Sequence, residues 1–172
     1  MADPRLADRL EQAPLFRGLR PKELALLTLV MREVSIKAQE LLFRQGDEGT
    51  GCYFILSGAI EVSREQVGAP NRSVHVLREN ELFGHVSLID ALPRSATCRA
   101  LEDSVLLFLD TDNFEMLFQS GSQFAFRFQT LIAEAAVSQL RQANAHLNAL
   151  LAGPNIQDDD AIARAQSILE GR

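Results

Sequence analysis

Cysteine is nearly absent from this chain. Only Cys52 and Cys98 occur, each inside an apolar, strand-like stretch, so reduced core thiols are expected and a disulfide framework is not. The three histidines, His75, His85 and His146, are too scattered to suggest a zinc cluster. Basic charge is also scarce: 17 Lys and Arg stand against 23 Asp and Glu, a net charge of −6. The last third offers a phosphate backbone only Arg127, Arg141, Arg164 and Arg172, so no nucleic-acid interface is expected. No apolar run approaches the ~18 residues that a spanning helix needs. The opening MADPRLADRLEQAP alternates charge with leucine where a signal peptide carries an apolar block. A cytoplasmic location without membrane association follows as the expectation. Enzyme signatures are missing too. No nucleophile has a recognisable base beside it, no glycine-rich kinase loop carries its lysine, and no paired carboxylates suggest acid–base work. No catalytic residue, metal or cofactor is therefore expected.

What is present is the composition of an ordinary globular chain: 172 residues, 47% hydrophobic and 23% charged, with a mean hydropathy of −0.02. Residues 1–30 read as two short helices, with Leu6 and Leu10 on one face of the first and Pro21 in the favoured first turn of the second. From 31 to 110 the texture changes to short apolar or alternating runs: REVSI, ELLFRQ, CYFILSG, AIEVSR, SVHVLR, SATCRA and SVLLFLD. Turn-forming clusters such as GDEGTG and EQVGAPN separate them, the spacing of a sandwich or roll. YFIL is apolar on both faces and predicts a fully buried strand.

The period turns helical over 111–152. TDNFEMLFQS predicts a helix capped by Thr111 or Asp112, and a helix of about thirty residues then runs to Gly153-Pro154. At ~1.5 Å per residue it is roughly 45 Å long, more than a small roll can cover. Phe126, Thr130, Ala133, Val137, Leu140, Asn144, Leu147 and Leu151 share a 4-3 seam along it. That seam suits either a homodimer, with Asn144 setting the register, or packing on the chain's own roll. Residues 153–172 predict a short tail helix with an acidic start.

One segment carries the chemistry: Leu82-Phe83-Gly84-His85-Val86-Ser87-Leu88, followed by Pro93-Arg94-Ser95-Ala96. A glycine admits close backbone approach, and a short helix beginning near His85 turns the N–H groups of Val86, Ser87 and Leu88 outward. Arg94 then supplies a fork that grips a phosphate with two parallel hydrogen bonds.

With the glycine-punctuated hairpin Leu42–Gly58, this segment resembles the cyclic nucleotide-binding domains and their phosphate-binding cassette, over about Leu15 to Leu151. The resemblance implies an α+β fold: an antiparallel, jelly-roll-like β-roll flanked by N-terminal helices and a long C-terminal helix. It implies that Arg94, Gly84, Val86, Ser87 and Ser95 meet the cyclic phosphate. Val62, Val74 and His75 fall where the family lines its base pocket, and Gln139 where a lid helix closes. One residue departs from the pattern. Where the family places a glutamate that accepts from the ribose 2′-hydroxyl, this chain has His85. A neutral imidazole accepts one hydrogen bond without a carboxylate's charge, so affinity is expected to fall roughly tenfold. The helix start and Arg94 are expected to disfavour a protonated His85 until a phosphate binds, which predicts tighter binding below neutral pH.

The expectation is a stand-alone cyclic AMP or cyclic GMP receptor or adaptor, dimeric through its long helix. It would act on an unidentified effector protein by closing that helix over the ligand. The alternatives are a cyclic dinucleotide receptor, a ligand-free interaction module, and a tail that targets a larger assembly.

Overall fold

The computed structural model describes residues 4–66, 69–119 and 121–151. Helix α1 (Pro4–Gln12), a 3-10 turn (Pro14–Phe16) and α2 (Pro21–Val30) precede the strands. The strands are β1 (Arg32–Ile36), β2 (Leu41–Phe43), β3 (Gly51–Ser57), β4 (Ala59–Gln66), β5 (Ala69–Arg78), β6 (Leu82–Phe83), β7 (Thr97–Ala100) and β8 (Ser104–Asp110). Helix α3 (Val86–Asp90) lies between β6 and β7, and α4 (Thr111–Gln119) and α5 (Gln123–Leu151) follow. This is the expected α+β β-roll. Its two antiparallel sheets have the orders β1-β8-β3-β6 and β2-β7-β4-β5.

Period-2 alternation explains both cores. Along β3 and β8, Ile55 and Leu106 point between the sheets, where they meet Ile60, Leu77, Cys98 and Ala100 from the opposite sheet. Their neighbours Cys52, Phe54, Leu107 and Leu109 point the other way, into a second cluster with Leu10, Leu24, Phe114, Phe128 and Ile132 from the helices. The first sheet is buried on both faces, hence the continuous YFIL and VLLFL runs. Cys52 and Cys98 are free and buried on these separate faces. Burial pushes both thiols up to about 12, so they stay protonated.

Several expectations shift in detail. ELLFRQ contributes only Leu41–Phe43, and the two-residue β6, too short to show a period, forms by pairing with Tyr53 and Phe54. Helix α4 is capped by Asp110 rather than Thr111 or Asp112: its carboxylate accepts from the Asn113 N–H at 2.8 Å, the reach of a residue just outside the first turn. Glu23 accepts from the Arg20 N–H at 2.7 Å to cap α2, and also pairs with Arg127 of α5 at 3.0 Å, tying the two helices together.

The chain divides compactly at Ala136, with the roll and everything up to that residue in one unit and Val137 beginning a second. Within the first unit, Phe124, Phe128, Leu131 and Ile132 of α5 are buried in the helix-side core. Phe126, 67% exposed, and Thr130 and Ala133 are exposed, so this part of the seam is not packed on the roll. Val137, Leu140 and Asn144 are exposed as well. The side chains of Leu147 and Leu151, and the tail from 153, lie outside the described residues.

Candidate functional site

The site is built where two remote pieces of chain are stitched together. The turn after β2 is closed by Asp47, whose carboxylate accepts from the Arg44 N–H at 2.7 Å. That turn meets the strand entering β7 through three hydrogen bonds: Gly46 N–H to the Arg94 carbonyl at 2.9 Å, Arg94 N–H to the Asp47 carbonyl at 2.8 Å, and Gln45 N–H to the Thr97 hydroxyl at 2.9 Å. These bonds fix the Arg94 backbone before its side chain is considered.

The Arg94 side chain turns inward and is only 4% exposed. Its Nη1 donates to the Gly84 carbonyl at 2.7 Å and to the Ser87 hydroxyl at 2.9 Å. Its Nη2 donates to the Gly51 carbonyl at 2.6 Å. One face of the guanidinium lies 4.3 Å from the centre of the Phe43 ring. Of five N–H donors three are used, which leaves the Nε donor and one on Nη2, and buried Nε has no partner. These two donors belong to adjacent nitrogens of one fork, the arrangement that grips two oxygens of a phosphate.

Arg94 forms no ion pair at contact distance among the described residues, and the Asp47 carboxylate acts on it only weakly, behind its burial. Burial holds the Arg94 pKa below its usual value. A buried charge without a counter-ion is strongly unfavourable, and a bound anion relieves it.

Glycines allow the close approach. Gly84 has φ +74°, and a Cβ there would lie 2.7 Å from Arg94 Nη1. A Cβ on Gly49 would lie 2.6 Å from the Ser87 Cβ and collide with its hydroxyl. Ser87 donates in turn to the Gly84 carbonyl at 3.1 Å. The structure thus brings Gly84, Ser87 and Arg94 together and adds Phe43, Gly49 and Gly51, whose roles depend on pairings some forty residues apart in sequence. The glycine spacing of the hairpin was their only sequence signal.

The other predicted positions divide. The Leu88 N–H is taken by the His85 carbonyl at 3.1 Å, so it is not one of the outward-facing donors expected at the helix start. The Val86 side chain and Ser95 are exposed. Val62 packs against the inter-sheet core. His75 is exposed but stands directly opposite Val62 on β5, hence on the roll-facing side of the sheet. Val74 lies where the β4–β5 register shifts, and its side chain is outside the described residues. Gln139 is half-buried in the second unit.

His85 departs most from expectation. The imidazole is completely buried, and neither ring nitrogen has a hydrogen-bond partner. Burial pushes its pKa down to about 4. Desolvation is the cause, rather than the expected repulsion by Arg94, and the imidazole is neutral at physiological pH. Among the described residues, the buried side-chain nitrogens and oxygens without a partner are three, the two of His85 and Nε of Arg94.

A cleft of about 610 Å³ beside α3 is lined by Glu48, Asp110, Asp112 and Glu115 together with Ser87 and Leu88. Four carboxylates make it unsuited to an anion.

A buried arginine caged by a glycine-led turn in a two-sheet roll has the chemistry to hold a small anion. The sequence model of the cyclic nucleotide-binding domain matches residues 33–120, and the chain belongs to that family. It is 33% identical over 138 residues to the cyclic AMP receptor protein of Thermus thermophilus, covering 80% of this chain and 62% of that one. It is 32% identical over 108 residues to a cAMP-dependent protein kinase regulatory subunit of Emericella nidulans, covering 63% and 26% respectively. The chain thus spans 62% of the first relative's length and 26% of the second's, less than two thirds of either. Among solved structures, a cyclic nucleotide-binding domain from Methylobacillus flagellatus superposes with a TM-score of 0.76 at 19% identity, covering 88% of this chain and 85% of that one. The Thermus thermophilus catabolite activator protein superposes with a TM-score of 0.65 at 33% identity, covering 80% and 62%.

Proposed function

We propose that this protein is a non-enzymatic receptor for a cyclic mononucleotide. One observation carries the reading: the unfilled buried side-chain polar atoms of the described residues belong to His85 and Arg94 of the one cassette segment, and Arg94 is a buried cation without an ion-paired carboxylate. A cyclic phosphate held by the unpaired Nε and Nη2 donors supplies a counter-ion. The ribose hydroxyl supplies a partner for His85, and the roll-facing side of β4 and β5, with Val62 and His75, receives the base. Cyclic AMP is the first ligand to test, because the relatives named above are described by it. Signalling is a population shift in which the ligand favours one arrangement of the long helix, with Gln139 in the lid. The exposed seam of α5 supports a homodimer, presented to an effector protein.

Thermal unfolding of wild type and Arg94→Ala, with cyclic AMP, cyclic GMP and cyclic di-GMP in turn, tests the reading. At ~100 times Kd a ligand adds ~2.7 kcal/mol, or roughly 5–11 °C for a domain of this size. The expected result is a shift with one cyclic mononucleotide that disappears in Arg94→Ala. A shift with cyclic di-GMP alone replaces the ligand class, and no shift with any of the three identifies a ligand-free interaction module.

A further inference from the structure

The outer side of α3 is apolar and uncovered. Val86 is 47% exposed, Ile89 56%, and Leu92, just past the helix end, 61%. Large apolar side chains grouped in this way mark a surface that a partner covers. Leu88, Ala91 and Leu92 also line the cleft of about 610 Å³ beside α3, whose charged lining is Glu48, Asp110, Asp112 and Glu115, with no basic residue. Asp110 is engaged by Asn113. Glu48, Asp112 and Glu115 are exposed and make no hydrogen bond or ion pair among the described residues. Nor do the described carboxylates form a group that could hold a metal ion, so the cleft suits positive charge spread over several atoms.

The charge and the apolar face together select the occupant. Unpaired carboxylates repel a nucleic acid or an anionic membrane and attract arginine or lysine. The exposed leucine and isoleucine favour a chain whose basic residues stand among apolar ones over a small polycation. We propose that the α3 cleft docks a segment of an effector protein in which arginine or lysine alternates with apolar residues. Its basic side chains enter the cleft, and its apolar ones cover Ile89 and Leu92. Ser87 lines the same cleft, and its hydroxyl accepts from Arg94 Nη1 at 2.9 Å, so the docked segment touches a residue that holds the buried arginine. Docking does not require a bound nucleotide, so this proposal stands or falls separately from the receptor reading.

The test is fluorescence anisotropy of a labelled octapeptide of alternating leucine and arginine, titrated with the full chain at about 0.15 M salt. Two further peptides replace arginine by glutamate or leucine by glycine. Glu48→Gln/Asp112→Asn/Glu115→Gln removes the free charge of the cleft, whereas Glu11→Gln/Glu33→Gln/Glu102→Gln removes as much from exposed residues outside it. Ile89→Ser/Leu92→Ser removes the apolar rim. The leucine-arginine peptide is expected to bind wild type and the outside-charge variant alike. It is expected to lose roughly tenfold in affinity for the cleft-charge variant and roughly tenfold or more for the serine variant. The glutamate peptide is expected not to bind. Equal losses in the two charge variants overturn the proposal, because the net charge of the chain then attracts the peptide. A serine variant with unaltered affinity, or a glycine-arginine peptide that binds as tightly, also overturns it and assigns the cleft to polycations as such. No binding of the leucine-arginine peptide at about 1 mM chain, an affinity too weak for docking, overturns it outright.

Discussion

A fully buried histidine with no partner makes folding stability depend on pH in a way that can be isolated. In the unfolded chain His85 takes up a proton near its ordinary 6.5, whereas burial holds the folded value at about 4. Between those values the unfolded state binds a proton that the folded state does not, so stability falls as pH falls. The contribution is fully present above about pH 6.5, declines through that window, and is lost near pH 4. At 1.36 kcal/mol per pKa unit the total is about 3 kcal/mol, or about 6–12 °C in melting temperature for a domain of this size. Acidic groups also titrate in this range, so the measurement is a difference. Urea unfolding of wild type and His85→Leu is followed at pH 7.5, 6.5, 5.5 and 4.5. Leucine removes both the titration and the two unsatisfied nitrogens, so the variant is expected to match or exceed wild type at pH 7.5. Its advantage then grows by about 3 kcal/mol towards pH 4.5. A difference that stays constant across the four pH values refutes the reasoning, because the imidazole then titrates alike in both states. The same low starting value limits ligand-linked protonation. A bound phosphate must raise His85 from about 4 to above 6 before affinity changes between pH 8 and pH 6.

Two further outcomes follow from packing. Gly49→Ala places a methyl group 2.6 Å from the Ser87 Cβ, so Ser87 must leave its bond to Arg94. It is expected to lose about 1–3 kcal/mol in chemical denaturation and to bind cyclic AMP more weakly, and an unchanged affinity shows that Ser87 does not position the arginine. Leu140 is 60% exposed, so Leu140→Glu is expected to leave unfolding within about 0.5 kcal/mol while converting a dimer to a monomer in analytical ultracentrifugation. A dimer that survives the substitution places the interface elsewhere than the α5 seam.

Much of this was legible along the chain because its causes are local. The unbroken apolar run YFIL predicted a strand buried on both faces, and Gly84, Ser87 and Arg94 lie within eleven consecutive residues, so their spacing showed the cassette. The 4-3 seam of α5 was equally visible as a pattern. Its two possible destinations were not distinguishable, because a pattern does not say which face of a helix its own domain covers. Burial of Phe124, Phe128 and Ile132 assigned the roll to the other face.

The tertiary structure decided what depends on distant residues. The Arg94 fork is held by Gly51, forty-three residues earlier, and is covered by Phe43, so which of its donors remain open is a property of the assembled sheets. The two-residue β6 exists only through its pairing with Tyr53 and Phe54. The charge state of His85 was read from its chain neighbours as a matter of repulsion by Arg94. In the fold, removal from water sets it instead, because desolvation is a sum over everything packed around the ring and only a small part of that surrounds His85 in sequence.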